Sequence, residues 1–264
     1  GVFTQTVYGP FMARLEEAGY REGETLFVFD YDWRQSVFVN VDRLAGFIAK
    51  NLPDDQAFDI VAHSMGGLLA RAYALEQDTA PIARFVTAGA PWRGSVRVFE
   101  LLREGWGLGN LLLGGVESFR RTAMSFPSTF ELLPDYDGCC ASEASGGGFD
   151  ATSAAGWDAL HWSGIEGERL PDFRAVTARQ AQLRDIAATP LRPGTEEALV
   201  IGIDQRTAEH YALETGEGEA RLNVVTSWEG DGTVMRDSAM LPERAVYSTS
   251  FARHDAILND EAVQ

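Results

Sequence analysis

Ser64 lies in the five-residue stretch Ala-His-Ser-Met-Gly and has the surroundings of a nucleophilic serine. A short apolar run over 58–61 precedes it, and a helix-prone run over 67–75 follows it. A strand that turns sharply into a helix, with serine at the turn, is the context in which a small-x-Ser-x-Gly pattern indicates a catalytic hydroxyl. The positions two residues before and after the serine, Ala62 and Gly66, must be small because helix and strand approach closely there. The sequence therefore predicts Ser64 as a nucleophile.

The residue after the serine would contribute through its backbone. A helix that begins directly after Ser64 carries positive potential at its N-terminus, where the oxyanion of an ester intermediate would form. The backbone N–H of Met65 is the predicted oxyanion-hole donor at this position.

A nucleophilic serine needs a base that takes its proton and a carboxylate that orients the base. Of the four histidines, His254 follows the last predicted strand, and a parallel sheet places its functional groups at the carboxyl ends of strands. His63 precedes the nucleophile and would point away from it. His161 lies in a loosely patterned segment, and His210 lies in a predicted hairpin. His254 is therefore the predicted base.

Asp231 is the predicted acid. It lies between Gly230 and Gly232 after an apolar strand, and the two glycines would let its side chain reach across a loop. The same Gly-Asp-Gly pattern is also an ordinary turn signal. Asp204 is the runner-up, because it ends a predicted strand, whereas Asp255 is adjacent to His254 and poorly placed to bond that imidazole.

Alternating helices and strands must position these residues. The apolar spacing predicts helices over 10–18, 37–50 and 67–75 and a closing helix from 255 onward. The strands are predicted over 26–29, 59–62, 82–87, 198–203 and 245–250, with a hairpin of 209–213 and 221–227 that turns at 216–218. This alternation predicts an α/β fold with a mostly parallel sheet and helices on both faces.

The alternating pattern is lost between about 96 and 193, within a single domain predicted over 1–264. We expect an inserted cap or lid over 96–193. The Gly/Ser/Ala-rich tract over 141–156 is predicted to be either a flexible part of this insertion or disordered.

Composition excludes several classes of function. The 264 residues carry a formal net charge of −17, so nucleic acid and anionic lipid headgroups are poor partners. No apolar run approaches membrane-spanning length. The sequence has no metal-ligand cluster, phosphate loop or cofactor motif, so no cofactor is expected. Cys139 and Cys140 are adjacent and are expected to be free thiols rather than a strained bridge.

Several short blocks together resemble the lecithin:cholesterol acyltransferase family, including its phospholipid:diacylglycerol acyltransferase and bacterial lipase-like members. The blocks run in the family's order and span nearly the whole chain. They are Tyr31-Asp32-Trp33-Arg34, His63-Ser64-Met65-Gly66-Gly67, Gly89-Ala90-Pro91-Trp92-Arg93-Gly94-Ser95, Phe126-Pro127-Ser128-Thr129, Leu132-Leu133-Pro134, Gly230-Asp231-Gly232-Thr233-Val234, His254 and Leu258-Asn259.

The resemblance implies an α/β-hydrolase fold with Ser64 as nucleophile, Asp231 as acid and His254 as base, and a cap formed by the segment after Pro91. Asp32-Trp33-Arg34 could lock its loop or contact substrate. Family members begin with a strand and a Gly-containing loop that helps form the oxyanion hole. The resemblance therefore implies that this strand and loop lie upstream of residue 1, and the second oxyanion donor has no source in the sequence.

The expected function is serine-dependent acyl transfer from a lipid ester through an acyl-Ser64 intermediate, to water or to an alcohol acceptor. Two alternatives remain open: a general carboxylesterase on small esters, and an inactive fragment or binding module that keeps the fold. Oligomeric state and compartment are left open, with a bacterial cytoplasm preferred.

Overall fold

The computed structural model describes residues 7–77, 79–136, 139–141, 151, 154–158, 160, 172–214, 221–241 and 246–261. The helices are α1 (Gly9–Glu17), α2 (Val37–Asn51), α3 (Met65–Glu76), α4 (Arg97–Glu104), α5 (Gly107–Leu113), α6 (Val116–Ala123), α7 (Pro127–Glu131), α8 (Ala154–Asp158), α9 (Phe173–Ala188), α10 (Arg236–Ala239) and a 3₁₀ helix (His254–Asn259). The strands are β1 (Phe58–His63), β2 (Ile82–Ala88), β3 (Cys140–Ala141), β4 (Glu196–Gly202), β5 (Thr207–Glu214), β6 (Arg221–Ser227) and β7 (Val246–Ser250).

The main sheet has four strands in the order β1-β2-β4-β7, and all three pairings are parallel. Parallel neighbours need crossover connections, which the helices between these strands provide. Because all four strands point the same way, the residues that follow them meet at one edge of the sheet. Ser64 follows β1, Gly89 follows β2 and His254 comes soon after β7.

Helices cover both faces of this sheet, as predicted. Successive strand residues point to opposite faces, and in β4 Leu199 packs with residues of α2, α3 and α9, whereas Val200 packs with Ile257 of the 3₁₀ helix and with Phe11 of α1. Helix α3 is buried along most of its length. The nucleophile therefore precedes a helix that is fixed on the sheet.

The region between β2 and β4 has a core of its own. Phe99, Phe130 and Trp157 pack with Tyr211 of β5, and each of these four side chains is buried. Strand β5 lies in a second sheet, of order β3-β5-β6, in which β5 and β6 are antiparallel. The last helix of the region, α9, packs on α3 instead. A role as cap or lid for this region stays a prediction.

Most predicted elements are confirmed to within two residues at each end, including α1, α2, α3 and the four strands of the main sheet. The predicted strand over 26–29 is wrong: it pairs with no strand among the described residues, and Val28 is 51% exposed. The predicted closing helix is a short 3₁₀ helix that begins at His254. His161, the turn at 216–218 and most of the tract over 141–156 lie outside the described residues.

The expectation of two free thiols is also wrong, because Cys139 and Cys140 form a disulfide. Their Cα atoms are 3.8 Å apart, the spacing across one trans peptide bond. This spacing is below the usual range for a disulfide and therefore favoured free thiols over a strained bridge, yet the two side chains form the bridge. The pair lies at β3, where the Tyr211 N–H donates to the Cys139 carbonyl.

Within the described part of the chain, no helix has both the length and the apolar character needed to cross a bilayer.

Candidate active site

Ser64 occupies a strained turn between β1 and α3. Its φ is +54° and its ψ is −133°, a conformation that residues with side chains rarely adopt and that is found at strained functional turns. The Ser64 N–H donates to the Ala88 carbonyl at 2.9 Å, which ties the turn to the end of β2. The serine is thereby presented at the carboxyl end of the sheet.

The close approach predicted at Gly66 occurs at Gly67 instead. A Cβ atom at Gly67 would lie 2.6 Å from the Ala90 Cβ atom, which is a severe clash. A Cβ atom at Gly66 would meet the Tyr31 hydroxyl at 3.6 Å, an ordinary contact. The helix therefore packs against the loop after β2 through its third residue.

The three residues predicted for catalysis lie in one hydrogen-bonded row. The Ser64 Oγ atom is 2.8 Å from His254 Nε2, and His254 Nδ1 is 2.7 Å from Asp231 Oδ2. The His254 side chain is 14% exposed and that of Asp231 is 1% exposed. Solvent thus reaches the serine end of the row, and the carboxylate end is sealed.

Backbone groups hold the Asp231 carboxylate in place. Its Oδ1 accepts hydrogen bonds from the N–H groups of Thr233, at 2.9 Å, and Val234, at 2.7 Å, which leaves Oδ2 for the imidazole. The N–H of Gly232, the residue directly after Asp231, donates to the Thr207 hydroxyl at 2.8 Å. These hydrogen bonds fix the Gly-Asp-Gly turn and the orientation of the Asp231 carboxylate.

Two glycines that the sequence reasoning did not single out make room for this acid. A Cβ atom at Gly89 would lie 2.9 Å from Asp231 Oδ2 and 3.0 Å from His254 Nδ1. A Cβ atom at Gly202, the last residue of β4, would lie 2.3 Å from the Asp231 Cβ atom. Gly89 directly follows a predicted strand and opens the block 89–95 that resembles the family, and these two signals pointed to it.

The other candidates do not join the row. Asp204 is exposed, has a φ of +63° and makes no described contact with His254. Asp255 points to Arg253, and His210 pairs with Val225 in the second sheet. The His63 side chain, predicted to point away from that of Ser64, lies against the ring of His254.

The Asp32-Trp33-Arg34 segment shows a structural contact. Asp32 binds the Arg34 guanidinium through both carboxylate oxygens, at 2.7 and 3.0 Å, and this contact lowers the pKa of Asp32. The Asn40 amide ties the Asp32 carbonyl to α2 at 3.0 Å. Trp33 is 59% exposed and meets Phe126 edge to face. The ion pair therefore closes its own loop.

Met65 is the first residue of α3, where helical N–H groups have no partner within the helix. Its N–H therefore lies next to the serine, where the sequence predicts an oxyanion donor. Among the described residues, no group of three His, Cys, Asp or Glu side chains could hold a metal ion. A hydroxyl, an imidazole and a carboxylate in such a row can act as nucleophile, base and orienting acid.

Comparison with known proteins gives one family match, over residues 3–168, to the family described as Lecithin:cholesterol acyltransferase. No curated protein matches the chain in sequence. A chain of the Tle4–Tli4 complex is 13% identical with a TM-score of 0.60, over 88% of this chain and 65% of that chain. Because the match is 13% identical and spans only 65% of that chain, this likeness shows the fold and leaves the activity open.

Two further solved structures have lower TM-scores. The mature Bacillus licheniformis lipase BlEst2 is 14% identical with a TM-score of 0.48, over 97% of this chain and 82% of that one. The metagenomic carboxyl esterase MGS0156 is 15% identical with a TM-score of 0.48, over 92% of this chain and 57% of that one.

Proposed function

Because the chain belongs to the lecithin:cholesterol acyltransferase family and has the α/β-hydrolase fold, we propose that it transfers acyl groups from lipid esters through an acyl-Ser64 intermediate. The observation that carries this proposal is the row of two hydrogen bonds from the Ser64 hydroxyl through His254 to Asp231. The α/β-hydrolase fold predicted from the sequence is confirmed.

In the first half of the reaction His254 acts as a base and then as an acid. Its Nε2 takes the Ser64 hydroxyl proton while the Oγ atom bonds to the ester carbonyl carbon. The tetrahedral intermediate collapses when Nε2–H gives this proton to the departing alkoxide. An alcohol leaves, and the acyl group stays on Ser64.

In the second half the acceptor replaces the serine. His254 takes a proton from water or from an alcohol, whose oxygen attacks the acyl carbon, and returns the proton to Ser64. Water yields a carboxylic acid, and an alcohol yields a new ester. The same three side chains serve both outcomes, so the acceptor depends on what reaches the acyl group.

Asp231 fixes the tautomer of the base. A carboxylate oxygen accepts, so the 2.7 Å contact places the proton of neutral His254 on Nδ1 and leaves Nε2 free to accept from serine. The negative charge also stabilises the imidazolium that forms during the reaction. The Met65 N–H faces the oxyanion, and one such donor typically contributes about 10²–10³-fold in rate.

A serine-reactive fluorophosphonate tests the nucleophile. We expect the purified protein to be labelled and Ser64→Ala to be unlabelled. Labelling that survives this substitution would refute the assignment.

Product analysis tests the acceptor and the substrate class. A phospholipid and a short-chain ester are each supplied with and without a long-chain alcohol. The proposal expects turnover of the phospholipid. Turnover of the short ester alone would favour a general carboxylesterase, and a new ester in the alcohol arm would identify an acyltransferase.

A further inference from the structure

The imidazole of His63 bridges Tyr8 and the backbone of the proposed base. Its Nε2 lies 2.8 Å from the His254 carbonyl oxygen, and its Nδ1 lies 2.9 Å from the Tyr8 hydroxyl oxygen. The imidazoles of His63 and His254 also lie next to each other, with ring centroids 4.7 Å apart. His63 therefore contacts both the side chain and the main chain of His254.

These two contacts assign the protons of His63. A carbonyl oxygen only accepts, so Nε2 carries the proton and donates it to His254. In a neutral ring Nδ1 then accepts, and the Tyr8 hydroxyl is its donor. Burial, together with the charge of the neighbouring His254, lowers the pKa of His63 to about 4. The hydrogen bond to the His254 carbonyl and the charges of Asp231 and Asp255 have smaller, opposite effects. The ring is neutral at neutral pH.

The two adjacent histidines thus have opposite tautomers. His63 carries its proton on Nε2, and His254 carries its proton on Nδ1, facing Asp231. The backbone of His254 is held on both sides, because its N–H donates to the Asp231 carbonyl at 2.8 Å and its carbonyl accepts from His63. His254 is the first residue of a short 3₁₀ helix, and a bend at Ala252 lies just before it.

We propose that His63 is a positioning residue, which holds the main chain of His254 so that its imidazole stays between acid and nucleophile. Tyr8 fixes the tautomer of His63 through its hydrogen bond to Nδ1, and we call His63 and Tyr8 together the clamp. The inference rests on the proposed function, since the row that it positions is the one proposed to transfer acyl groups. The hydrogen bond from His63 goes to the main chain of His254, not to its Nε2 atom or to Ser64 Oγ.

Nitrogen NMR of histidine-labelled protein tests the clamp without turnover. The four histidines are assigned by single substitution to Phe. At neutral pH we expect the proton of His63 on Nε2 and that of His254 on Nδ1. In Tyr8→Phe the Nδ1 resonance of His63 should move, because its hydrogen-bond donor is gone. A His63 ring protonated on Nδ1, or on both nitrogens, would overturn the proposal.

Ester turnover gives the second readout. We expect His63→Phe to lower kcat about 10–100-fold, since small displacements of a catalytic group have effects of this size, with KM little changed. His63→Gln should recover most of the loss, because its amide N–H can reach the same carbonyl. His210→Phe is the matched control on β5 and should have the wild-type kcat.

A wild-type kcat in His63→Phe, or a Gln variant no better than the Phe variant, would contradict the positioning role. If the wild-type protein shows no turnover that depends on Ser64, the proposed function fails, and the tautomers measured by NMR still decide the proposal for His63.

Discussion

Replacement of Gly89 by Ala would place one methyl group against the hydrogen bond between the acid and the base. The new Cβ atom would lie 2.9 Å from Asp231 Oδ2, 3.0 Å from His254 Nδ1 and 3.1 Å from His254 Cε1. Each separation is shorter than ordinary van der Waals contact, and the two bonded atoms are only 2.7 Å apart. The methyl group must therefore push the imidazole away from the carboxylate.

The cost of this change has two separate parts. The φ of +58° at Gly89 is left-handed, and a residue with a side chain pays about 1–2 kcal/mol of stability there. The loss of the acid–base contact is larger in its effect on rate, because disabling the acid in comparable triads lowers kcat about 10⁴-fold. We expect Gly89→Ala to lose about 10²–10⁴-fold in kcat, since the carboxylate remains nearby.

Gly23→Ala is the matched control. Gly23 has a φ of +80°, and its Cβ atom would meet no other atom within 4 Å. The backbone penalty is thus similar and the clash is absent. Ester turnover and urea denaturation of both variants separate the two effects. Gly89→Ala with wild-type kcat, or an equal loss in Gly23→Ala, would refute the reasoning.

Three further predictions concern the acid, the pH dependence of stability and the main core. Asp231→Asn should lower kcat about 10⁴-fold, and Asp204→Asn should leave it unchanged; the reverse result in ester assays would mean a misassigned acid. Because the pKa of His63 is about 4 in the folded chain against 6.5 ordinarily, the unfolded chain binds this proton first as the pH falls. The contribution of His63 to the free energy of unfolding is then full above pH 6.5 and falls by up to about 3 kcal/mol toward pH 4. His63→Phe should remove this pH dependence in urea titrations. Parallel plots of unfolding free energy against pH for the wild type and the variant would contradict it. Arg71 is fully buried and pairs with the Glu197 carboxylate, which is 11% exposed, so Arg71→Ala should cost about 3–5 kcal/mol of stability in denaturant unfolding. Arg21→Ala, which removes an exposed ion pair, should cost less than about 1 kcal/mol. Similar losses of stability in both variants would refute the contrast.

The sequence predicts the residues of the site because each follows a recognisable strand. Ser64 and His254 come after strands of the parallel sheet, which gathers such positions at one edge. Asp231 follows β6 of the second sheet, and its loop reaches the same edge beside Gly202. Their roles stay predictions until tested. The geometry of their approach, however, is long-range.

Contacts between segments distant in the chain were not predictable in this way. Gly89 and Gly202 must lack side chains because the loop of Asp231 passes over both strand ends. The contact of His63 with His254 joins residues 191 positions apart. No local sequence pattern predicts such long-range contacts.

The segment 26–29 shows the opposite failure, in which a local pattern overstates the structure. Its apolar run fits a buried strand, yet strand formation requires a neighbour with free backbone groups. The described pairing in this segment is one bridge between Glu22 and Leu26. Phe29 and Tyr31 still pack against the main core as irregular chain. Burial of apolar side chains alone does not identify a strand.

The most direct test of the central claim is the mass of the enzyme during turnover. The protein is mixed with an activated ester, quenched in acid within the first turnovers, digested and mapped by mass spectrometry. We predict one acyl group on the peptide that contains Ser64, absent in Ser64→Ala and strongly reduced in Asp231→Asn. An acyl group on another residue, or ester turnover that persists in Ser64→Ala, would contradict the account.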